Sequence, residues 1–251
     1  LYLICILPEG VNMRYLQHCI FAHLILIMII GGLNSKAHAQ APQCQELSHN
    51  SCSVLPSSTY KAFCKFPDGA VYEGDMDCSG YLTGQGKIRN ADGSTYAGSW
   101  RQGYYHGFGV YEASGEVYRG DFFQGAFTGK GQVTLPDGSL LSGQFVNGFL
   151  DGVGEAKWGN GGYSQGLFKK GQLNGKGVVE VGNQKFIGTF RDGFLLSGTI
   201  KTKLAEYVEE REGDFRNEQL HGKGVVRGYD NSGNLIDTTT GNYIDGFLEG
   251  A

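Results

Sequence analysis

The fold of this chain is decided by residues 96–109, which read YAGSWRQGYYHGFG. The first half has the pattern aromatic-x-Gly-x-aromatic, at Tyr96, Gly98 and Trp100, and the second half ends in Gly-x-Gly. Both halves repeat with a period of two, which is the period of a β-strand. Gly103 lies in the link between the two halves, and the hairpin turns are predicted at dipeptides such as Asp92-Gly93 and Ser114-Gly115, because glycine tolerates positive φ. The stretch therefore predicts one β-hairpin.

The same two-part pattern recurs every 22 to 24 residues along the chain. Its Gly-x-Gly half begins at Gly84, Gly107, Gly129, Gly152, Gly175 and Gly222. One isolated hairpin is marginally stable, so hairpins of this kind must stack on their neighbours. The sequence predicts an all-β fold, an elongated single-layer antiparallel sheet of tandem hairpins. Residues 64–251 would hold about seven repeats and a truncated last one.

Glycine inside a strand weakens that strand unless another group must approach closely. We expect the aromatic ring of one strand to lie across the glycine of the next strand, so that ring surface is buried in a sheet one layer thick. The glycine-rich composition, with 42 Gly, is explained by this need.

The charge of the chain argues against nucleic acid as a partner. The net charge is −4, and it becomes −5 without residues 1–39, which contain Arg14, Lys36 and Glu9. Nucleic-acid-binding proteins carry a basic face, and no basic cluster is present in the sequence.

The N-terminus has the features of a signal peptide. Arg14 follows Met13, an apolar run extends from Cys19 to Ile30, and a small-x-small site ends at Ala39. We therefore predict residues 1–39 as a signal peptide, with residues 1–12 upstream of a true start at Met13. The expected location is the periplasm or the extracellular space. The alternative is an N-terminal membrane anchor, for which the apolar run is short.

Four cysteines follow the predicted cleavage site, and an even number in an exported chain indicates disulfide bonds. They are Cys44, Cys52, Cys64 and Cys78. Three pairings are possible, and we favour Cys44–Cys52 with Cys64–Cys78 because each closes a short loop. Residues 40–63 would then form a cap on the first repeat. The spacings do not match structural zinc sites.

The repeat pattern resembles the MORN repeat (membrane occupation and recognition nexus). Residues 96–109 match the family pattern Tyr-x-Gly-x-Phe-x-x-Gly-x-x-His-Gly-x-Gly, with Trp100 in place of phenylalanine. The resemblance extends over about residues 60–251. It implies non-catalytic repeats that are linked to protein–protein contact, dimerisation and phospholipid binding.

Two candidate binding regions follow from the repeats. The first is a row of aromatic residues, which we interpret as mainly structural. As a second role, the row would line a shallow groove. Its members are Tyr96, Trp100, Tyr118, Phe122, Phe145, Tyr163, Phe168 and Phe190. The last strand of the array would lack a following partner strand, and open strand edges pair with other chains. This predicts an edge interface at Thr240, Tyr243 and Phe247.

The leading hypothesis is an exported scaffold for protein–protein interaction, including self-association. A phospholipid- or envelope-binding module is the first alternative, and an accessory subunit of an enzyme complex is the second. The repeats explain every Gly-x-Gly pair, His106 and His221, so we predict no enzyme activity, no cofactor and no metal.

Overall fold

The computed structural model describes residues 43–46 and 58–250, and in these residues all regular structure is β-strand. The predicted signal peptide, residues 1–39, lies outside the described residues, as does Cys52. The described chain divides into two compact units, residues 43–149 and 150–250. No helix of the described residues has the length and apolar character that a membrane span requires.

The first unit is an antiparallel sheet in which each strand pairs with the next along the chain. Its strands are β1 (Gln43–Glu46), β2 (Thr59–Lys65), β3 (Val71–Asp77), β4 (Leu82–Arg89), β5 (Thr95–Arg101), β6 (Tyr104–Ala113), β7 (Glu116–Phe123), β8 (Ala126–Thr134) and β9 (Leu140–Val146). The predicted boundary between cap and array, at residues 63 and 64, falls inside β2.

The second unit has the same antiparallel order. Its strands are β10 (Phe149–Lys157), β11 (Tyr163–Lys169), β12 (Gln172–Val181), β13 (Gln184–Arg191), β14 (Phe194–Lys203), β15 (Tyr207–Arg216), β16 (Gln219–Asp230), β17 (Leu235–Ile244) and β18 (Phe247–Leu248). The prediction of tandem antiparallel hairpins is confirmed in both units.

Glycines stand opposite one another in successive strands, and we call each such line a glycine row. In the first unit Gly98 pairs with Gly109, and Gly109 pairs with Gly120. In the second unit Gly166 pairs with Gly177 in the same way. A Cβ on Gly98 would lie 2.5 Å from the Cα of Gly109, so this register admits only glycine.

One face of each sheet, the inner face, covers its glycine row with large side chains. In the first unit the covering group is a tyrosine of the first strand of the hairpin, because a Cβ on Gly86 would lie 2.5 Å from ring atoms of Tyr72. In the second unit it is a leucine of the second strand, because a Cβ on Gly177 would lie 3.0 Å from Leu173. The expected ring-over-glycine packing is therefore confirmed in the first unit and replaced by leucine in the second.

The turns between the two strands of a repeat have the left-handed backbone that the glycines predicted. Gln102 and Gly103 have φ of 50° and 80°, which is a type I′ geometry. The amide of Gly103 donates to the carbonyl of Leu82 at 2.9 Å, so the turn also ties one hairpin to the preceding one.

The predicted disulfide pairing is wrong at Cys64. Cys44 is bonded to Cys64, because β1 pairs with β2 in a register that places the two cysteines directly opposite, with Cα atoms 4.0 Å apart. Cys78 is also disulfide-bonded. Strand pairing, and not the shortest loop, selects the partner.

Candidate interaction surfaces

The aromatic row of the inner face is core and does not line a groove. Tyr96, Phe122 and Phe145 are 0%, 2% and 1% exposed, and the other members except Tyr163 are also buried. The rings contact one another edge to face, with centroids 5.0 Å apart for Tyr96 and Phe122. Side chains so deeply buried cannot contact a ligand, so the groove prediction is wrong for this row.

The tyrosine hydroxyls of the row are used to hold the sheet together. Tyr96 donates to the carbonyl oxygen of Ser99 at 2.6 Å, and Tyr118 donates to that of Asp121 at 2.9 Å. Burial raises the pKa of both hydroxyls far above the ordinary value of a tyrosine. They remain protonated donors at any physiological pH.

Tyr163 lies on the opposite face, which we call the outer face. The extra residue in this repeat shifts the alternation, so that Ser164 takes the inner position and is 7% exposed. Tyr163 stands opposite Lys157 in β10 and Glu180 in β12. Its place in a common aromatic row was therefore a wrong prediction.

Carboxylates on the outer face are occupied by structural contacts. Asp75 accepts a hydrogen bond from the amide of Gln85 at 2.8 Å and pairs with Lys61 at 2.8 Å. Asp121 accepts from the amide of Lys130 at 3.2 Å. Both contacts support the strand irregularity that follows the glycine row. These contacts had no signal in the sequence beyond the position of the aspartate in the repeat.

The two repeat histidines are far apart in the chain and have different neighbours. The ring of His106 lies 5.6 Å from that of Phe123, and His221 lies 3.3 Å from Asp245. Within residues 43–46 and 58–250, no group of three His, Cys, Asp or Glu side chains has a geometry that suits a metal ion. A cavity beside Tyr111 and Phe127 encloses about 10 Å³, which is room for one water molecule.

The outer face exposes large apolar side chains that sequence reasoning missed. In the first unit Phe108 and Phe123 are 63% and 57% exposed, on the neighbouring strands β6 and β7. In the second unit Val153 and Leu167 stand directly opposite each other and are 64% and 44% exposed. The signal was available, because these residues occupy polar positions of the alternating pattern.

The predicted edge residues lie in three different environments. Tyr243 is buried on the inner face, with 5% exposure, and it pairs with Leu248 of β18. Thr240 is exposed, and Phe247 is 79% exposed. The expectation that the strand at Tyr243 has no following partner is therefore wrong, because β18 pairs with its end.

Comparison with known proteins agrees with this architecture. No curated protein matches the chain. The sequence model of the MORN repeat matches five segments, residues 96–115, 118–140, 142–163, 165–180 and 212–233. The segments 96–115, 118–140 and 165–180 contain strands whose glycine rows are described above, and the segment 212–233 contains the further pair Gly213 and Gly224. The chain is therefore a MORN-repeat protein.

Proposed function

We propose that this MORN-repeat chain is an exported, non-catalytic scaffold that binds a protein partner on its outer face. The observation that carries the proposal is the exposure of Phe108 and Phe123 on paired strands of the outer face, whereas the aromatic row of the inner face is buried. Exposed aromatic side chains grouped on a rigid surface are typical of protein interfaces.

The surroundings of the two rings favour a protein over a lipid surface. Asp121 stands directly opposite Phe108, and the ring of His106 contacts Phe123. A carboxylate on the strand that carries Phe123 disfavours anionic headgroups, whereas protein interfaces combine an apolar centre with polar groups around it. The unit that carries the rings has no excess of lysine and arginine over acidic residues.

The partner is tested by cross-linking the mature chain, residues 40–251, in an envelope extract. We expect a protein that is captured by the wild-type chain and lost with Phe108→Ser/Phe123→Ser. Tyr81→Ser is the matched control, because Tyr81 is 54% exposed and lies outside the strands. Co-sedimentation with protein-free liposomes, together with no captured protein, would overturn the proposal in favour of a lipid-binding module.

Export is tested separately by expressing the chain from Met13 in a bacterial host. We expect the protein in the periplasmic or culture fraction, with Gln40 as its first residue. A chain that stays in the membrane fraction and keeps residues 13–39 would show an anchor instead.

A further inference from the structure

Charge is distributed unevenly within the second unit. Strands β10 to β14, residues 150–203, contain eight basic and four acidic residues. The basic ones are Lys157, Lys169, Lys170, Lys176, Lys185, Arg191, Lys201 and Lys203, and the acidic ones are Asp151, Glu155, Glu180 and Asp192. Residues 204–250 contain four basic and ten acidic residues. The first part of this unit is therefore locally positive although the chain as a whole is negative, so the expectation that the sequence has no basic cluster is wrong for these strands.

All four carboxylates of the positive part are already engaged. Glu155 pairs with Lys157 at 3.3 Å, and Glu180 pairs with Lys185 at 3.2 Å. The other two accept hydrogen bonds from neighbouring parts of the sheet, Asp151 from the amide of Lys170 and Asp192 from the side chain of Asn174. Among the described residues, neither forms an ion pair with a lysine or arginine.

Three exposed cations on successive strands of the outer face have no carboxylate within 4.0 Å among the described residues. They are Lys169 of β11, Lys176 of β12 and Arg191 of β13. Their outward direction follows from alternation, since Phe168 and Phe190 beside two of them are buried on the inner face. Lys169 is opposite Gln172, four residues before Lys176 in β12. Arg191 lies two residues beyond Thr189, which is opposite Lys176. The three cations therefore lie on adjacent strands, about 4.8 Å apart across the sheet and offset by two to four residues along it.

Aliphatic side chains lie beside these cations on the same face. Val153 and Leu167 form an exposed cross-strand pair, and Ile187 of β13 is 38% exposed. Leu167 extends over β12, because a Cβ on Gly175 would lie 3.1 Å from its Cδ1 atom. We call the three cations and these three aliphatic residues the basic outer patch.

We propose that the basic outer patch binds an extended acidic segment of a partner protein. The carboxylates of the segment would pair with Lys169, Lys176 and Arg191, and its apolar side chains would contact Val153, Leu167 and Ile187. In an extended segment, side chains on one face recur every 6 to 7 Å, roughly, which long lysine and arginine side chains can match. The inference rests on the proposed function, for which it names a site and a partner chemistry.

Two other anionic partners fit less well. A bilayer surface extends far beyond three strands and would bring anionic headgroups close to the ten acidic residues of residues 204–250. Single-stranded nucleic acid is held by aromatic stacking as well as by charge, and the apolar members of the patch are aliphatic.

The test uses the mature chain and a fluorescent decapeptide of alternating Glu and Val, with the Lys–Val peptide as control. The variant Lys169→Gln/Lys176→Gln/Arg191→Gln removes the three cations of the basic outer patch. Its matched control is Lys157→Gln/Lys185→Gln/Lys201→Gln, which changes the net charge equally but removes cations that are already ion-paired. Thermal unfolding checks that both variants fold.

We expect the acidic peptide to bind, with an affinity that falls about tenfold in the patch variant and by less than about threefold in the control. Higher salt should weaken binding, because the pairs are exposed. If the two variants lower the affinity equally, or if the acidic peptide does not bind, the basic outer patch is not the binding site. Loss of phosphatidylserine-vesicle binding in the patch variant, without peptide binding, would assign the patch to membranes. A cross-linked partner that persists in the patch variant would refute this site and leave the proposed function standing.

Discussion

At the scale of the residue, the decisive feature is the absence of a side chain at the glycine row. Glycine normally weakens a strand because it loses more conformational freedom than any other residue on folding. Here that cost is offset by burial of large side chains directly over the backbone. The glycines are required by the space above them, and those at the turns are required by their backbone angles.

Two alanine substitutions, one in the glycine row and one in a turn, distinguish the requirement for space from the requirement for backbone angles. In Gly131→Ala the new Cβ would lie 2.6 Å from a ring carbon of Tyr118, so we expect a loss of about 3 kcal/mol of unfolding free energy from overpacking. In Gly138→Ala nothing lies within 4 Å, and only the φ of 83° is unfavourable, so the loss should be about 1 kcal/mol. Denaturant unfolding measures both, and equal losses would show that packing over the glycine row is not limiting.

At the scale of the element, the buried tyrosines of the first unit make the folded chain less stable at alkaline pH. Burial raises the pKa of Tyr105 to about 12 and that of Tyr72, Tyr96 and Tyr118 further, against an ordinary value of 10.0. The folded chain therefore favours the neutral phenol. This contribution to stability is fully present below pH 10 and falls as the pH rises above 10, where only the unfolded chain ionises.

The measurement is the urea midpoint between pH 9 and 11.5. In Tyr96→Phe the urea midpoint should fall less steeply with pH, because the variant keeps the ring and loses the titrating hydroxyl. The exposed Tyr81→Phe serves as the control and should leave the slope unchanged. A wild-type midpoint that does not fall above pH 10 would contradict the prediction.

The Cys44–Cys64 bond gives a prediction for the first strands. β1 has four residues and pairs only with β2 in the described part of the chain. Without its disulfide such a short strand should detach, and we expect Cys44→Ser to cost about 3 kcal/mol. The loss should be local, because repeat arrays are stabilised by neighbour contacts. Hydrogen exchange should therefore quicken at Tyr60–Cys64 and stay unchanged in β13 and β14, and uniform acceleration would contradict this.

The hairpins could be predicted because their signals are local. The alternation around Gly98 and the turn at Gly103 each depend on only a few consecutive residues. The partner of Cys64 depends on which strand lies beside β2, and loop length says nothing about that choice. Burial of ring surface over the glycines was predicted, but a groove was expected as well, because the sequence does not show that the rings also cover one another. The position of Tyr163 was missed because a single extra residue reverses a strand's faces.

At the scale of the whole molecule, the last strands bear on self-association. β18 pairs with β17 only at Tyr243 and Ile244, and no strand of the described residues pairs with Leu235–Gly241 on that side. We expect a polypeptide ending at Ala251 to self-associate through this edge, because unpaired strand edges add strands from other chains.

Sedimentation velocity at tens of micromolar, roughly the range for weak dimers, tests this expectation. Thr238→Lys/Thr240→Lys should favour the monomer, since edge lysines oppose pairing. Asn231→Lys/Ser232→Lys adds the same charge in the β16–β17 turn and should have no effect. If the wild-type chain is monomeric, or if the two variants respond equally, the edge of β17 is not the site of self-association.

The two ways of covering the glycine row bear on how such an array can change by recombination. Tyr118 fills the space over its glycines and stacks on Phe127, whereas the small Ser164 leaves that space to Leu173. A chimera that joined the Tyr118 strand to the Leu173 strand would bring two side chains into one volume. The reciprocal chimera would place Phe127 over its glycines without the tyrosine on which that ring stacks. We therefore expect modules of this array to be exchangeable as whole hairpins, and a crossover between the two strands of a hairpin to destabilise it.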